Sequence, residues 1–126
     1  MLRDQQSVRT RSNLLAVEIG KNQISMTPTL HPGDIVLVDR DDWGQHSGYK
    51  SPGNIFLVRE VGQEGGAKVK RVALAGRNDS AIITFYSDNY EEFEPEPHLL
   101  AQDYGGGLRE VIVGRVIWAW SDVSRK

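Results

Sequence analysis

Residues 25–34 read Ser-Met-Thr-Pro-Thr-Leu-His-Pro-Gly-Asp, a dense run of constrained residue types between two apolar stretches. Thr27 suits the cap of a helical turn and Pro28 its first position, so Thr27 to His31 are expected to form one tight turn of helix. Ser25 would then stand just ahead of a helix N-terminus. Unpaired backbone N–H groups there, those of Ser25 and Met26, could receive the negative oxygen of a tetrahedral intermediate. That is the position of a nucleophile in acyl transfer. Taken alone, however, Ser-Met-Xaa-Pro is more often an ordinary polar loop.

A serine hydroxyl is a weak nucleophile and needs a base within reach. The chain offers three histidines, many carboxylates and several lysines. His31 lies only six residues past Ser25, and no aspartate has a spacing that would orient it, so a Ser-His-Asp triad fits poorly. His46 and His98 fall in turn-rich polar segments, where a solvated histidine is expected. No His/Glu spacing suggests a metal site, and no cofactor motif is present. Lys70 is the better candidate. In a strand it shares a face with Val72 and Leu74, whereas a surface lysine normally has polar neighbours on its own side. Burial would destabilise its ammonium and bring the neutral amine within range of ordinary pH. Equally, Lys70 could snorkel to solvent along the sheet, and Lys68 on the same face shows that not every lysine here is a base.

The elements that must hold these residues read as strands. Short β-branched or apolar runs, LLAVEIG, DIVLVDR, NIFLVRE, AKVKRVALA, AIITFYSD and EVIVGRVIWAW, alternate with breakers at PGD (32–34), SPGN (51–54), QEGG (63–66), GRND (76–79) and YGGG (104–107). This predicts about six strands and no long helix, an all-β fold. GQEGG reads as a hairpin turn, and the acidic, proline-containing EEFEPEPHLLAQ as a surface excursion. In the last run, strict alternation sends Ile112, Gly114, Val116, Trp118 and Trp120 one way and Val111, Val113, Arg115, Ile117 and Ala119 the other. Both faces are largely apolar, so the second is expected to be covered by another sheet of the chain or by a partner.

At 126 residues the chain is sized for one domain, and 39% apolar with 25% charged residues is the composition of a folded globular protein. The formal charge of −2 gives no footprint for binding a phosphate backbone across the whole chain. The absence of cysteine excludes disulfides, a thiolate nucleophile and a Cys-ligated zinc site. No apolar run is long enough for a membrane span and the polar N-terminus lacks a signal core, so a cytoplasmic protein is expected. Residues 1–12 read as a flexible tail or linker remnant, and 13–126 as the folded domain.

Taken together, these segments resemble the C-terminal domain of self-cleaving repressors, the LexA and lambda CI group, which also includes the UmuD mutagenesis proteins. SMTPTLHPGDIVLVDR resembles the nucleophile segment and first core strand, PGNIFLVRE the next strand, and AKVKRVAL the strand of the general-base lysine. FYSDN (85–89) and VIVGRVIW (111–118) resemble two further signatures, so the likeness runs from about Leu14 to the end. It implies a LexA and signal peptidase-like fold of several coiled, mostly antiparallel sheets, with Ser25 as nucleophile and Lys70 as general base. The assignment falls on Lys70 because Lys-Arg-Val is the matching triplet; Lys68 and Arg71 inherit no role. Neutral Lys70 would take the Ser25 proton, and the backbone N–H groups of Ser25 and Met26 would hold the oxyanion.

The likeness also implies a homodimer, self-cleavage stimulated by a RecA filament in the SOS response, and operator DNA contacted only through an N-terminal domain absent from this chain. Gln23-Ile24 departs from the small Gly-Asp type of pair that usually precedes the serine. Such repressors cut themselves at a small-residue bond upstream, often Ala-Gly, and none precedes Ser25 here. The chain therefore reads as a cleavage product or a trimmed regulatory half, a serine endopeptidase with no cleavage site in cis. The only Ala-Gly, Ala75-Gly76, is expected to be structural. Alternatives are a UmuD-like SOS mutagenesis protein, a signal-peptidase-like enzyme acting in trans, and a dimerisation module whose dyad is idle.

Overall fold

The computed structural model describes residues 13–43, 53–61 and 66–121. The expected tail at 1–12, His46 and most of the turn between the third and fourth strands lie outside the described residues. The described residues form seven strands: β1 (Leu14–Glu18), β2 (Ile35–Asp39), β3 (Ile55–Arg59), β4 (Ala67–Ala75), β5 (Ile82–Tyr86), β6 (Glu96–Leu99) and β7 (Ile112–Trp120). They join in one sheet of order β1-β2-β7-β3-β4-β5-β6, every neighbouring pair antiparallel. The fold is all-β, with one continuous ladder where the likeness implied several sheets. Among the described residues a 3-10 turn (Asn78–Ser80) precedes β5, and two short α-helices, α1 (Leu100–Tyr104) and α2 (Leu108–Val111), precede β7. Among the described residues no helix is long and apolar enough to cross a membrane.

Alternation along the central strands supplies two cores. In β3, Phe56 and Val58 enter one apolar cluster with Val72, Ile83, Phe85 and Ile112. Leu57 enters the other with Ile19, Met26, Leu30, Val36, Val38 and Val69. The middle of the sheet is thus covered on both faces, which explains why its strands read as nearly continuous apolar runs. Each fully buried Val, Ile or Phe contributes on the order of 1.5–3 kcal/mol. This packing gives the functional strands a rigid frame.

Two sequence expectations are corrected. The segment read as a surface excursion holds β6, which pairs with β5 from Ile82↔Leu99 to Phe85↔Glu96. Its Pro97 and two polar neighbours hid it, and such residues are tolerated because β6 is an edge strand. The strict alternation expected of β7 also fails. The ladder jumps from Leu37↔Trp118 to Val38↔Val116, and from Leu57↔Gly114 to Val58↔Ile112, so Ile117 and Val113 are bulged. Each extra residue resets the parity: Val113, Val116 and Ala119 all pack against the same cluster. The opposite rows, Trp118–Leu37–Ala16 and Trp120–Ile35–Glu18, follow from the pairing and belong to neither cluster. Between the bulges Gly114 has no alternative, since a Cβ there would stand 2.7 Å from Val38 Cγ1 and closer still to the Asp39 carbonyl oxygen.

Candidate active site

The loop from Ile19 to Asp34 leaves β1 and returns to β2. It is closed at its base where the Ile19 N–H donates to the Asp34 carbonyl and the Gly33 N–H to the Ile19 carbonyl, both at 2.8 Å. Met26 and Leu30 plug its tip into the core, at 3% and 4% exposure. Their neighbour Ser25 is only half-buried. The expected capped helical turn does not form. Residues 25–29 are successive turn positions and Leu30 a bend, and the Thr27 hydroxyl donates back to the Ile24 carbonyl at 2.9 Å rather than accepting from a helix N–H. The stability of the tip comes instead from the Leu30 N–H to Met26 carbonyl bond at 2.9 Å and from the two apolar plugs. Among the described residues the Ser25 and Met26 N–H groups donate to no acceptor.

Lys70 is buried at 3% exposure, so the face shared with Val72 does not let it snorkel. It stands opposite Phe56 in the β3–β4 ladder, and its Nζ lies 5.3 Å from the centre of the Phe93 ring. Nζ donates to Ser87 Oγ at 2.6 Å. That contact follows from register: β4 and β5 pair at Arg71↔Tyr86, and Lys70 and Ser87 are one step further on each strand. Burial pushes the Lys70 amine below the ordinary lysine range. The nearby Glu96 carboxylate opposes the shift, Lys68 reinforces it and Glu60 opposes it weakly. Burial wins because the carboxylate is shared. Glu96 Oε2 sits 2.7 Å from Lys68 Nζ, while Oε1 is 3.6 Å from Lys70 Nζ. For Glu96 burial raises the carboxyl pKa, but the Lys68 hydrogen bond and the charges of Lys68, Lys70 and His98 together hold it below the usual range.

Ser25 and Lys70 line one cleft of about 230 Å³, together with Ile24, Met26, Lys68, Phe93 and Glu96 among others. No hydrogen bond joins them directly; the amine is held by Ser87, which can accept from an ammonium or donate to a neutral amine. The three residues after Tyr86 link the two halves of this site. Ser87 holds Lys70. Asp88 accepts from both sides of the Arg71 guanidinium, at 2.6 and 3.0 Å, and from the Thr29 hydroxyl, tying β4 to the loop that carries Ser25. Those bonds keep the Asp88 carboxyl below its ordinary range, the Arg71 hydrogen bond being the largest cause. Asn89 donates its N–H to the Ser25 carbonyl at 2.9 Å and its side-chain amide to the Ile24 carbonyl at 3.3 Å.

Sequence reasoning placed Ser25 and Lys70 at this cleft but missed Ser87 and Glu96. FYSDN stood out as a segment, yet nothing local shows which of its side chains meets a lysine 17 residues upstream. His31 and His98 do not line the cleft. His98 packs its ring on Phe85 and Tyr104. Ala75-Gly76 is structural as expected: Gly76 has φ +85°, and a Cβ there would stand 2.9 Å from the Ser80 carbonyl oxygen. Among the described residues no three His, Asp or Glu side chains group closely enough to hold a metal ion. Comparison of the chain with protein-family models, curated proteins and solved structures gave no match.

Proposed function

We propose that the domain is a serine peptidase of the Ser-Lys type, with Ser25 as nucleophile, Lys70 as general base and the Ser25 and Met26 N–H groups as oxyanion donors. The observation that carries this reading is a buried lysine of lowered pKa lining the same cleft as a half-buried serine from a distant segment. In the reaction, neutral Lys70 accepts the Ser25 Oγ proton, directly or through one water, as Oγ attacks a peptide carbonyl. The ammonium then protonates the leaving amine, and water hydrolyses the acyl-enzyme. Ser87 orients Nζ throughout.

The particular protein we infer is the regulatory half of a LexA-like or phage-type repressor. It would dimerise so that N-terminal domains outside this chain meet a two-fold operator, and self-cleavage, stimulated by a RecA filament, would end repression. Its location would be the cytoplasm. The outer apolar rows of β2 and β7, with Leu37, Trp118 and the 39%-exposed Trp120, suit the dimer contact. A monomer in sedimentation at high concentration would count against that contact. One observation favours an idle dimerisation module instead: Lys70 is bonded to Ser87 rather than Ser25, with a carboxylate 3.6 Å away to stabilise its ammonium.

Incubating the chain with a peptide that spans an Ala-Gly bond, at rising pH, separates the two. The peptidase reading expects cleavage that increases with pH and is lost in Ser25→Ala and Lys70→Ala. Cleavage retained by Lys70→Ala would remove Lys70 as the base, and an uncut peptide at every pH would leave the dimerisation reading.

A further inference from the structure

A second cleft, of about 290 Å³, is lined by Asn13, Arg40, Arg59, Arg109, Ile112 and Val113. It shares no residue with the Ser25–Lys70 cleft. Its three arginines are brought together by topology. β7 lies between β2 and β3 and is antiparallel to both, so its start adjoins the two strand ends. Arg40 follows β2, Arg59 ends β3 and Arg109 lies on α2, just before β7.

The contacts that the three arginines make with their immediate surroundings are not ion pairs. The Arg109 guanidinium lies 5.5 Å from the centre of the Trp43 ring, within cation–π range. The Tyr104 hydroxyl donates to the Arg59 carbonyl at 2.8 Å, and an Arg40 Nη donates to the Leu14 carbonyl at 3.5 Å. Of the carboxylates next to Arg40, Asp42 pairs with Arg115 at 2.6 Å and Asp41 accepts from the Asn13 amide at 3.0 Å. Among the described residues none of the three arginines forms an ion pair.

We propose that this cleft is a binding site for a phosphate group. Guanidinium cannot shed its proton, so three like charges around one cleft repel weakly through solvent and together attract an anion. A phosphate monoester carries about −1.5 to −2 charge and several acceptor oxygens, which suits three planar forks. A carboxylate supplies one charge and two oxygens, and leaves more of the repulsion unrelieved. The site does not depend on Ser25 or Lys70, so its test is independent of the peptidase reading.

Isothermal titration of the full chain with inorganic phosphate at low ionic strength should give saturable one-site binding that weakens as chloride is added. Arg59→Gln or Arg109→Gln should each weaken it about tenfold, while Arg77→Gln, outside the cleft, should leave it unchanged. A short DNA duplex that displaces phosphate would assign the site to a nucleic-acid backbone. Phosphate retained against the duplex would assign it to a free phosphate or monoester, and either result sustains the proposal. It is overturned by an absence of saturable binding, by equal binding in an Arg59→Gln/Arg109→Gln double variant, or by acetate binding as tightly as phosphate.

Discussion

The two clefts use positive charge in opposite ways. Around Ser25 a lysine is buried and bonded to a neutral hydroxyl, and the nearest carboxylate, that of Glu96, is 3.6 Å away and shared with Lys68. Beside the ends of β2 and β3, three exposed arginines line one cleft and, among the described residues, form no ion pair. Burial of an amine with incomplete compensation promotes loss of its proton, the property a base requires. Exposed guanidinium keeps its proton and so serves to attract an anion rather than to accept a proton. Residue type and burial together, rather than net charge, distinguish the chemistry available at the two places.

Removing the amine should have the largest effect. Lys70→Ala is expected to lower peptide cleavage by about 10³-fold or more, the scale seen when one member of a catalytic unit is deleted. Ser87→Ala, measured in the same assay, should cost about 10–100-fold, because Nζ loses the bond that aims it at Ser25. A rate equal to the parent would mean that Ser87 does not position the base.

Glu96→Gln should change the rate by only a few-fold, but in a diagnostic direction. Glu96 raises the Lys70 pKa against the larger effect of burial. Its neutralisation should therefore move the rising limb of the pH–rate profile to lower pH and speed cleavage near neutrality. A limb moved to higher pH would contradict the electrostatic account.

Lys70→Met tests the same charge through stability. The folded-state pKa lies below that of the unfolded chain, so between the two values the unfolded state holds more protons and parental stability rises with pH. Thermal unfolding should show the Met variant gaining Tm at neutral pH, with the gain shrinking as pH approaches the ordinary lysine range. His31→Ala should have the smallest effect, leaving the cleavage rate within about two-fold, since no role in proton transfer is assigned to it.

The sequence made parts of this arrangement visible and hid others for physical reasons. The six apolar runs carried enough burial to reveal β1 to β5 and β7, and the parity of Lys70 with Val72 and Leu74 pointed to a buried amine. β6 was concealed by Pro97 and its polar neighbours, which only an edge position accommodates. The faces of β7 were misassigned because a bulge is set by the partner strands and leaves no mark on alternation itself. Ser87 and Glu96 reach Lys70 across paired strands, and register is not encoded in local spacing. The arginine cleft was hidden in a chain of net charge −2, since a sum over the chain says nothing about where unpaired charges meet.

The most direct test of the Ser25–Lys70 assignment uses a fluorophosphonate followed by mass spectrometry of the intact chain and its peptides. Ser25 Oγ would displace fluoride from phosphorus, with its proton passing to Lys70. The account predicts one adduct, on Ser25, formed faster as pH rises and suppressed in Lys70→Ala. Labelling at the parental rate in Lys70→Ala, or no adduct on Ser25 at any pH, would contradict it.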